Sequence, residues 1–405
     1  MSPSKVIVSD LGRIVTGKTP STKNMQFFGG DYQFVTPSDL DWKTYYCRST
    51  ERTVTDDARK AHHRQFIPAN AVMITCIGNT IGKCGISSGD CLTNQQINSI
   101  IPHDEIDPRF VYYLLLQNTA LIRSIGIGGG SAAPILNKSS FSKIQLLVPP
   151  VRQWNAIADI LSAYDDLIEN NRRRIQLLEQ AARLLYKEWF VHLRFPGHEH
   201  VKIRDGVPEG WERKKIVDVC ETVGGGTPST KVSDYWEGDI TWVVPTDVTR
   251  NDCLVLLDSE RKITEKGLRE SSSQLVPANT ILMTSRASVG FFALMDAEVC
   301  TNQGFINIIP HDEEMRMYLL FNLMSRASEI RSNAKGTTYP EISKGRFRQM
   351  DVMIPARTLV VDFAQIASGI IQQVRSLKHS TLKLTQARDL FLPRLMNGEV
   401  IVNYA

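Results

Sequence analysis

The segment Thr19-Pro-Ser-Thr-Lys23 returns unchanged as Thr227-Pro-Ser-Thr-Lys231, 208 residues further along a chain of 405 residues. Other pairs follow in the same order. They are Phe28-Gly-Gly-Asp31 with Trp236-Glu-Gly-Asp239, Pro37-Ser-Asp39 with Pro245-Thr-Asp247, Pro68-Ala-Asn70 with Pro277-Ala-Asn279, Thr93-Asn-Gln95 with Thr301-Asn-Gln303, Ile101-Pro-His-Asp-Glu105 with Ile309-Pro-His-Asp-Glu313, and Gly130 and Pro134 with Gly336 and Pro340. Because the separation drifts only between 206 and 209 residues, the sequence predicts a duplicated domain with small loop insertions and deletions.

Each copy is predicted to be rich in short strands. Asp31-Tyr-Gln-Phe-Val35 and Asp239-Ile-Thr-Trp-Val243 alternate polar and apolar residues and end near a proline. Further short strands are predicted at Val72-Met-Ile-Thr75, Ile281-Leu-Met-Thr284, Ile144-Gln-Leu-Leu-Val148 and Met350-Asp-Val-Met-Ile354. A helix is predicted near Phe110–Ser124 and again near Met315–Ser332. Each copy is therefore expected to be a mixed α+β domain.

After each copy, the apolar residues follow the alternating steps of four and three that are typical of a coiled coil. The first stripe is Ile157, Leu161, Tyr164, Ile168, Asn171, Ile175, Leu178, Ala182, Leu185 and Trp189, and the second is Ala367, Ile370, Val374, Leu377, Thr381, Leu384, Arg388 and Phe391. Because neither stripe can stay in water, we expect the two helices to pack against each other. Asn171 either fixes the register as a buried residue or marks a locally solvated position, and the sequence leaves both readings open.

The expected fold is α+β, with two repeated strand-rich domains separated by two long antiparallel coiled-coil helices in a pseudo-twofold arrangement. The predicted division gives residues 1–150 to the first domain and 151–192 to the first spacer helix. Residues 193–356 form a linker and the second domain, and 357–405 form the second spacer helix and a C-terminal tail. The linker, Leu193–Gly210, is rich in proline, glycine and charge.

The composition is that of an ordinary globular protein, with 42% hydrophobic and 22% charged residues. The sequence shows no apolar run long enough to span a membrane, and its N-terminus does not match a secretory signal peptide. The seven cysteines are scattered without a CxxC pair, which favours reduced thiols and a cytoplasmic location over disulfides or zinc. The net charge of +4 permits nucleic-acid binding without arguing for it.

The stretch Gly12–Thr19 matches the phosphate-loop pattern GxxxxGK(S/T), so a P-loop nucleotide-binding enzyme is an alternative function. Two observations weigh against it. Pro20-Ser21 looks like a turn where a helix is required, and the second copy keeps this turn but loses the lysine. The sequence also contains no HExxH, GxSxG or HRD pattern. We therefore expect no catalytic, cofactor-binding or metal-binding residues in this chain.

Hydrogen-bonding side chains recur on loops at equivalent places in the two copies. Arginine and lysine read guanine edges, and asparagine and glutamine read adenine edges. We expect the shared Asn94-Gln95 and Asn302-Gln303 to close turns. Asn79 and Arg286 differ between equivalent loops, so we expect them to contact bases or phosphates. The candidate set for DNA binding is Asn79, Thr80, Lys83 and Ser131 in the first copy and Ser285, Arg286, Ser288, Lys335, Thr337 and Tyr339 in the second.

The duplicated order of motifs resembles the specificity subunits of type I restriction–modification enzymes. The second copy is close to that family's recognition-domain pattern in Gly226-Thr-Pro-Ser-Thr-Lys231, Tyr235-Trp236 and Gly238-Asp-Ile-Thr-Trp-Val243. The first copy departs mildly in its aromatic residues, at Phe27-Phe28 and Gln33-Phe34. The resemblance covers nearly the whole chain, and its specificity lies in the repeated order rather than in any single motif.

The resemblance implies a non-catalytic subunit whose two target-recognition domains each read one half of a split double-stranded DNA sequence. It implies two methylation subunits and a restriction/translocase subunit as partners, which would carry the S-adenosylmethionine, ATP and Mg sites. The helices would act as a ruler and a docking surface, through Ile157, Leu161, Tyr164, Ile168, Asn171, Ile175, Leu178, Ile370, Val374, Leu377 and Leu384. A stand-alone bivalent DNA-binding scaffold without modification partners is a further alternative.

Overall fold

The computed structural model describes residues 4–42, 44–127, 134–336 and 339–402. The chain divides into two compact units, one made of residues 1–170 and 382–405 and the other of residues 171–381. Each unit holds one copy of the repeat and part of each of two long helices. The division falls inside these helices rather than at the predicted boundaries, because each unit's hydrophobic core takes residues from both helices.

The domain of the first unit contains two small sheets. One has the strand order Gly12–Thr16, Ile97–Pro102, Val72–Thr75, Cys84–Ser87 and Tyr46–Cys47, and the other has the order Arg52–Val54, Phe28–Val35, Cys91–Thr93 and Phe66–Ile67. The helices are Asp56–Ala61, Pro108–Gln117, Thr119–Ile127 and Lys138–Ser142. Ser4–Ile7 pairs antiparallel with Gln145–Val148, so the two ends of the domain meet beside the start of the first long helix.

The domain of the second unit repeats this plan. Its sheets have the orders Cys220–Gly224, Phe305–Pro310, Ile281–Thr284 and Phe292–Ala293, and Arg261–Ile263, Trp236–Val243, Val299–Thr301 and Leu275–Val276. Its helices are Ile216–Val219, Pro245–Thr249, Glu265–Arg269, Met315–Ser325, Ala327–Ser332 and Lys344–Arg348. Glu212–Lys215 pairs with Asp351–Ile354 to close the domain. The predicted linker contains a small ladder of Ile203–Arg204 with Val207–Pro208.

The repeated motifs have physical reasons that the structure makes visible. In the Pro-Ala-Asn turns, Asn70 and Asn279 have φ angles of 66° and 60°, the left-handed region that asparagine tolerates better than most residues. Each turn leads directly into a buried strand, at Val72–Thr75 and Ile281–Thr284, as predicted. Each predicted single helix is instead two consecutive helices, which meet near Asn118 and Arg326.

The two long helices run from Trp154 to Tyr186, continued by a π-helical turn to Val191, and from Arg357 to Met396. Within the first unit, the tilted ring of Tyr164 packs near that of Phe391, and Asp165 pairs with Arg388. Within the second unit, Asn171 contacts Ser380, and Tyr186 contacts Phe363. In both units, residue numbers along the second helix fall as residue numbers along the first helix rise, from one contact to the next. The helix segments are therefore antiparallel in each unit.

The residues that were expected to dock partner subunits are not exposed on the helices. All of them are buried or half-buried inside this chain, so they cannot form an exposed docking surface. The residues concerned are Ile157, Leu161, Tyr164, Ile168, Asn171, Ile175, Leu178, Ile370, Val374, Leu377 and Leu384. Asn171 is only 8% exposed, and its Nδ2 donates to Ser380 Oγ over 3.4 Å. It is therefore a buried residue of the stripe and not a solvated one.

Candidate nucleic-acid interface

Two loops meet at the end of the strand Ile281–Thr284 in the second domain. Arg286 and Lys335 both form β-bridges with Glu341, and the backbones of Lys335 and Glu341 exchange two hydrogen bonds of 2.9 Å. Ala287 N donates to Pro340 O over 2.9 Å. The sequence predicted Arg286, Lys335 and Tyr339 from separate loops, and the structure brings these loops together.

Backbone geometry makes this loop pair sharp and exposed. Ala287 and Gly336 have φ angles of 60° and 101°, which produce tight turns on both loops. Thr284 Oγ1 donates to Ser288 O, and Phe291 N donates to Thr284 Oγ1 over 3.0 Å. These bonds fix the first loop on the buried end of its strand, so the tip residues are held in place by the sheet.

The first domain presents the equivalent pair of loops. Ile77 forms a β-bridge with Ile135, and Gly78 N donates to Pro134 O over 2.9 Å. Asn79 is exposed at the tip, where its carbonyl oxygen accepts from Arg123 Nη2 over 2.8 Å. The two domains therefore carry one loop frame with different side chains at its tip.

The structure sorts the candidate DNA-binding residues by their accessibility. Asn79, Arg286, Lys335 and Tyr339 are exposed, and Tyr339 is 69% exposed. Thr80 and Ser288 are half-buried turn residues whose carbonyl oxygens accept from Thr75 and Thr284, respectively. Ser131 and Thr337 lie outside the described residues.

Two of the candidate residues, Ser285 and Lys83, have contacts that indicate a role in the fold rather than in DNA binding. Ser285 is 3% exposed, so its side chain cannot reach DNA, and we remove it from the set. The Lys83 ammonium donates to the carbonyl oxygens of Pro37 and Leu40 over 3.4 and 3.1 Å. Those bonds tie two loops of the first domain together, and they favour a positioning role for Lys83 over direct base reading.

The P-loop interpretation of Gly12–Thr19 is wrong in this structure. Gly17 N and Lys18 N donate to Ile97 O and Thr93 O over 3.1 and 2.8 Å, so these backbone donors are not available to phosphates. Among the described residues that follow, the next helical segment is a three-residue 3-10 turn at Met25–Phe27, instead of the helix that a phosphate loop requires.

The shared motif has a packing role instead. Thr19 Oγ1 donates to Gln95 Oε1 over 2.6 Å, and Thr227 makes the same bond to Gln303. A Cβ on Gly225 would lie 2.0 Å from the carbonyl oxygen of Asn302, so only glycine permits this approach. Asn302 Oδ1 accepts from Gly304 N over 2.9 Å, as Asn94 Oδ1 accepts from Gln96 N over 3.0 Å. The shared asparagines therefore close turns, as predicted.

Sequence reasoning missed a group of cations beside the second loop pair. Lys344, Arg346 and Arg348 lie on the short helix Lys344–Arg348. The guanidinium of Arg346 donates through Nε to Asn333 Oδ1 over 2.9 Å, and Arg348 donates to Thr222 Oγ1 over 2.5 Å. The missed signal was a difference between aligned copies, because Lys344-Gly-Arg-Phe-Arg348 stands where the first copy has Lys138-Ser-Ser-Phe-Ser142.

The described residues contain no group of three or more His, Cys, Asp or Glu side chains placed to hold a metal ion. Burial raises the pKa of the Cys76 and Cys220 thiols to about 12, so at neutral pH these are protonated core residues rather than nucleophiles. Across the same described ranges, none of the helices is both long and apolar enough for a membrane crossing.

Comparison with known proteins places the chain in a family. The family model for the type I restriction modification DNA specificity domain matches residues 4–180 and 208–362. A type I restriction enzyme specificity subunit, MjaIX of Methanocaldococcus jannaschii, is 26% identical over 98% of this chain and 93% of its own length. The HindI specificity subunit of Haemophilus influenzae is 24% identical over 72% of this chain and 77% of its own length.

A solved structure shares the fold. The crystal structure of the type I restriction–modification S subunit from M. genitalium superposes with a TM-score of 0.65, covering 98% of this chain and 99% of that one at 16% identity. The matched ranges of the family model take in both copies of the repeat and most of the described structure. The chain therefore belongs to the family of type I restriction–modification DNA specificity proteins.

Proposed function

We propose that this chain is the non-catalytic subunit that selects the DNA target of a type I restriction–modification complex, with each domain reading one half of a bipartite sequence. The repeated loop pair is the observation that carries this proposal. Both domains offer the same two bridged loops at equivalent strand ends, with Asn79 exposed on the first domain's loop and Arg286 exposed on the second domain's loop. A rigid frame with variable loop tips suits two readers of different half-sites.

The exposed tip residues have the chemistry for reading bases in the major groove. Asn79 suits adenine and Arg286 suits guanine, because each can offer a bidentate hydrogen-bonding edge. Arg286 Nε lies 3.7 Å from Glu341 Oε2, and both side chains are about half exposed. Such a loose surface pair contributes little stability, so Arg286 can exchange this partner for a base.

The exposed faces of the long helices support docking of the methylation subunits. In the second unit, Leu177, Leu184 and Val191 recur at seven-residue intervals, and each is more than half exposed. This spacing places Leu177 and Leu184 on one side of the α-helix, where they offer an apolar surface to another helix, and Val191 follows in the π-helical turn. We place methylation-subunit docking on this surface rather than on the buried stripe.

The chemistry of the complex would belong to its partners. Two methylation subunits would bind S-adenosylmethionine, and a restriction/translocase subunit would bind ATP and Mg, all acting on double-stranded DNA in the cytoplasm. Copurification with a tagged chain tests this arrangement. Recovery of the full-length chain without any methylation subunit, from cells that express both, would favour the stand-alone DNA-binding scaffold.

Mapping methylated sites in host genomes that carry or lack this gene tests target selection directly. A bipartite motif should appear only when the gene is present. Exchange of residues 1–150 for the equivalent domain of a relative should change one half of that motif, and Arg286→Ala should relax only the half read by the second domain, at a cost of roughly 1–3 kcal/mol. A motif unaffected by both changes would contradict independent reading by the two domains.

A further inference from the structure

The second domain carries a cluster of exposed cations beside its loop pair. We name Lys335, Lys344 and Arg346 the basic cluster. The last two belong to the short helix Lys344–Arg348, and Lys335 belongs to the loop that is bridged to Glu341. Lys335, Arg346 and Glu341 line an open cavity of about 370 Å³ together with Asn333 and Ser343, and Lys344 lies outside this lining. The cavity is thus wide enough for a phosphate group, and its lining charge is positive.

The three cations of the basic cluster are exposed. Asn333 Oδ1 holds Nε of Arg346 at 2.9 Å, which orients the guanidinium while leaving its terminal nitrogens for another acceptor. Among the described residues, no carboxylate pairs with any of the three cations within 4 Å. The Nζ of Lys344 lies where a Cβ on Gly224 would be only 3.0 Å away, so the glycine leaves space for this ammonium.

The same surface of the first domain has different chemistry. From Ile125 to Asn137 its sequence contains no charged residue, and Ser140 occupies the position of Arg346. Gly129 stands at the position of Lys335 and Ile135 at that of Glu341, and Ile127 and Ile135 are 57% and 47% exposed. Lys138 is the counterpart of Lys344 and is the one cation of the cluster that both copies share. The two loop pairs are therefore alike in backbone and opposite in surface chemistry.

We propose that the two domains hold the DNA backbone unequally, with the basic cluster of the second domain binding phosphates beside the half-site that this domain reads. The inference rests on the proposed DNA recognition. Phosphates are the natural ligand because lysine acts on them as a point charge, because arginine binds them with paired donors, and because phosphate contacts make up most protein–DNA hydrogen bonds. The exposed isoleucines of the first domain offer instead apolar contacts, such as those made with thymine methyl groups.

The test measures how affinity for a short random-sequence duplex depends on salt, because phosphate contacts do not depend on sequence. The tagged full-length chain is purified with whatever subunits it retains and titrated by fluorescence anisotropy at about 50 to 200 mM KCl. Each lost phosphate contact lowers the magnitude of the negative slope of log K against log salt by about 0.9. The triple variant Lys335→Ser, Lys344→Ser and Arg346→Ser should lower it by about 2.7.

The chain supplies matched controls. Lys202→Ser, Arg204→Ser and Arg213→Ser remove three exposed cations elsewhere in the same unit, so the net charge changes equally. Arg346→Lys keeps the charge and should keep most of the slope. Equal slopes for the two triple variants, or a wild-type slope in the cluster variant, would overturn the unequal hold while leaving DNA recognition intact. A wild-type complex that does not bind duplex DNA would overturn the proposed function itself.

Discussion

At one set of equivalent positions, the helix pairs of the two units are packed with different side chains: polar and charged in the first unit, apolar in the second. In the first unit, Arg388 Nη1 pairs with Asp165 Oδ1 at 2.5 Å, and the Tyr113 hydroxyl donates to Asp165 Oδ2 over 2.6 Å. These three residues are nearly inaccessible to solvent. At the corresponding positions the second unit has Ala182, Ile371 and Phe321, and all three are buried as well. The frame is therefore set by residue spacing and volume, and it tolerates either a polar or an apolar core.

A second difference concerns the charges that join each domain to its own helices. In the first unit, Arg48 of the domain pairs with Glu169 of the helix. The position equivalent to Glu169 in the second unit is Arg375, which pairs with Asp296 of the domain at 3.4 Å. The sign of the pair is thus reversed between the units. Reversed pairs favour each domain on its own helix segments and penalise the exchanged arrangement.

The largest effect is expected from breaking the buried ion pair of the first unit. Arg388→Ala leaves Asp165 charged and buried, which typically costs about 3–5 kcal/mol. The triple variant Tyr113→Phe, Asp165→Ile and Arg388→Ala copies the second unit and should be neutral or more stable by about 1–4 kcal/mol. Urea unfolding with hydrogen exchange in Pro108–Gln117 measures both. If the triple variant were as unstable as Arg388→Ala, the apolar side chains of the second unit would not fit the helix packing of the first unit.

An intermediate loss of stability is expected from reversing the charge of Lys378, which pairs with an acidic residue in the second unit. Lys378 donates to Asn251 Oδ1 over 2.9 Å and also pairs with Asp252. Lys378→Glu places a third acid near Asp252 and Glu179 and should destabilise the second unit by about 1–3 kcal/mol. The exposed Lys202→Glu is the matched control, with an expected change within about 0.5 kcal/mol. Equal losses of stability in thermal unfolding would argue against the proposed charge matching.

A smaller effect is expected from reversing the charge pair of the first unit. Glu169→Arg introduces the residue of the second unit opposite Arg48 and should cost about 0.2–1 kcal/mol, since Arg48 is 60% exposed and solvent screens the pair. Adding Arg48→Glu should restore that loss. A double-mutant cycle by denaturant unfolding gives the coupling energy, and a value of zero would remove this pair from the domain–helix match.

The smallest effect concerns Glu179, whose counterpart in the first unit is Thr385. Burial raises the pKa of the Glu179 carboxyl above its usual 4.5, although Leu254 N donates to it. Because the folded-state pKa is raised, stability falls as pH rises above the unfolded value of about 4.5 and levels off beyond the folded-state pKa. Glu179→Gln should therefore stabilise the second unit at neutral pH and make no difference below about pH 4.5. An unchanged stability at pH 7 would contradict this sign.

The repeat, the strand positions and the helix stripes follow from the sequence because each depends on local spacing. Val72–Thr75, Ile281–Thr284 and both long helices lie where periodicity indicates them. The roles of Ser285 and Lys83 could not be predicted in this way, since burial and carbonyl contacts depend on distant parts of the chain. Apolar spacing also cannot separate a stripe buried within the chain from one that faces a partner, and this explains the wrong docking residues.

The discontinuous first unit has a consequence for synthesis on the ribosome. The core of the first unit's domain includes Leu392, Leu395 and Met396, which are translated only after the whole of the second unit. Domains usually fold from the N-terminus as they emerge, but this one cannot complete its core until the second unit has been translated. A nascent chain stalled before Leu382 should hold the second unit's residues complete and the first unit still open to protease, so premature termination would damage the domain that was made first.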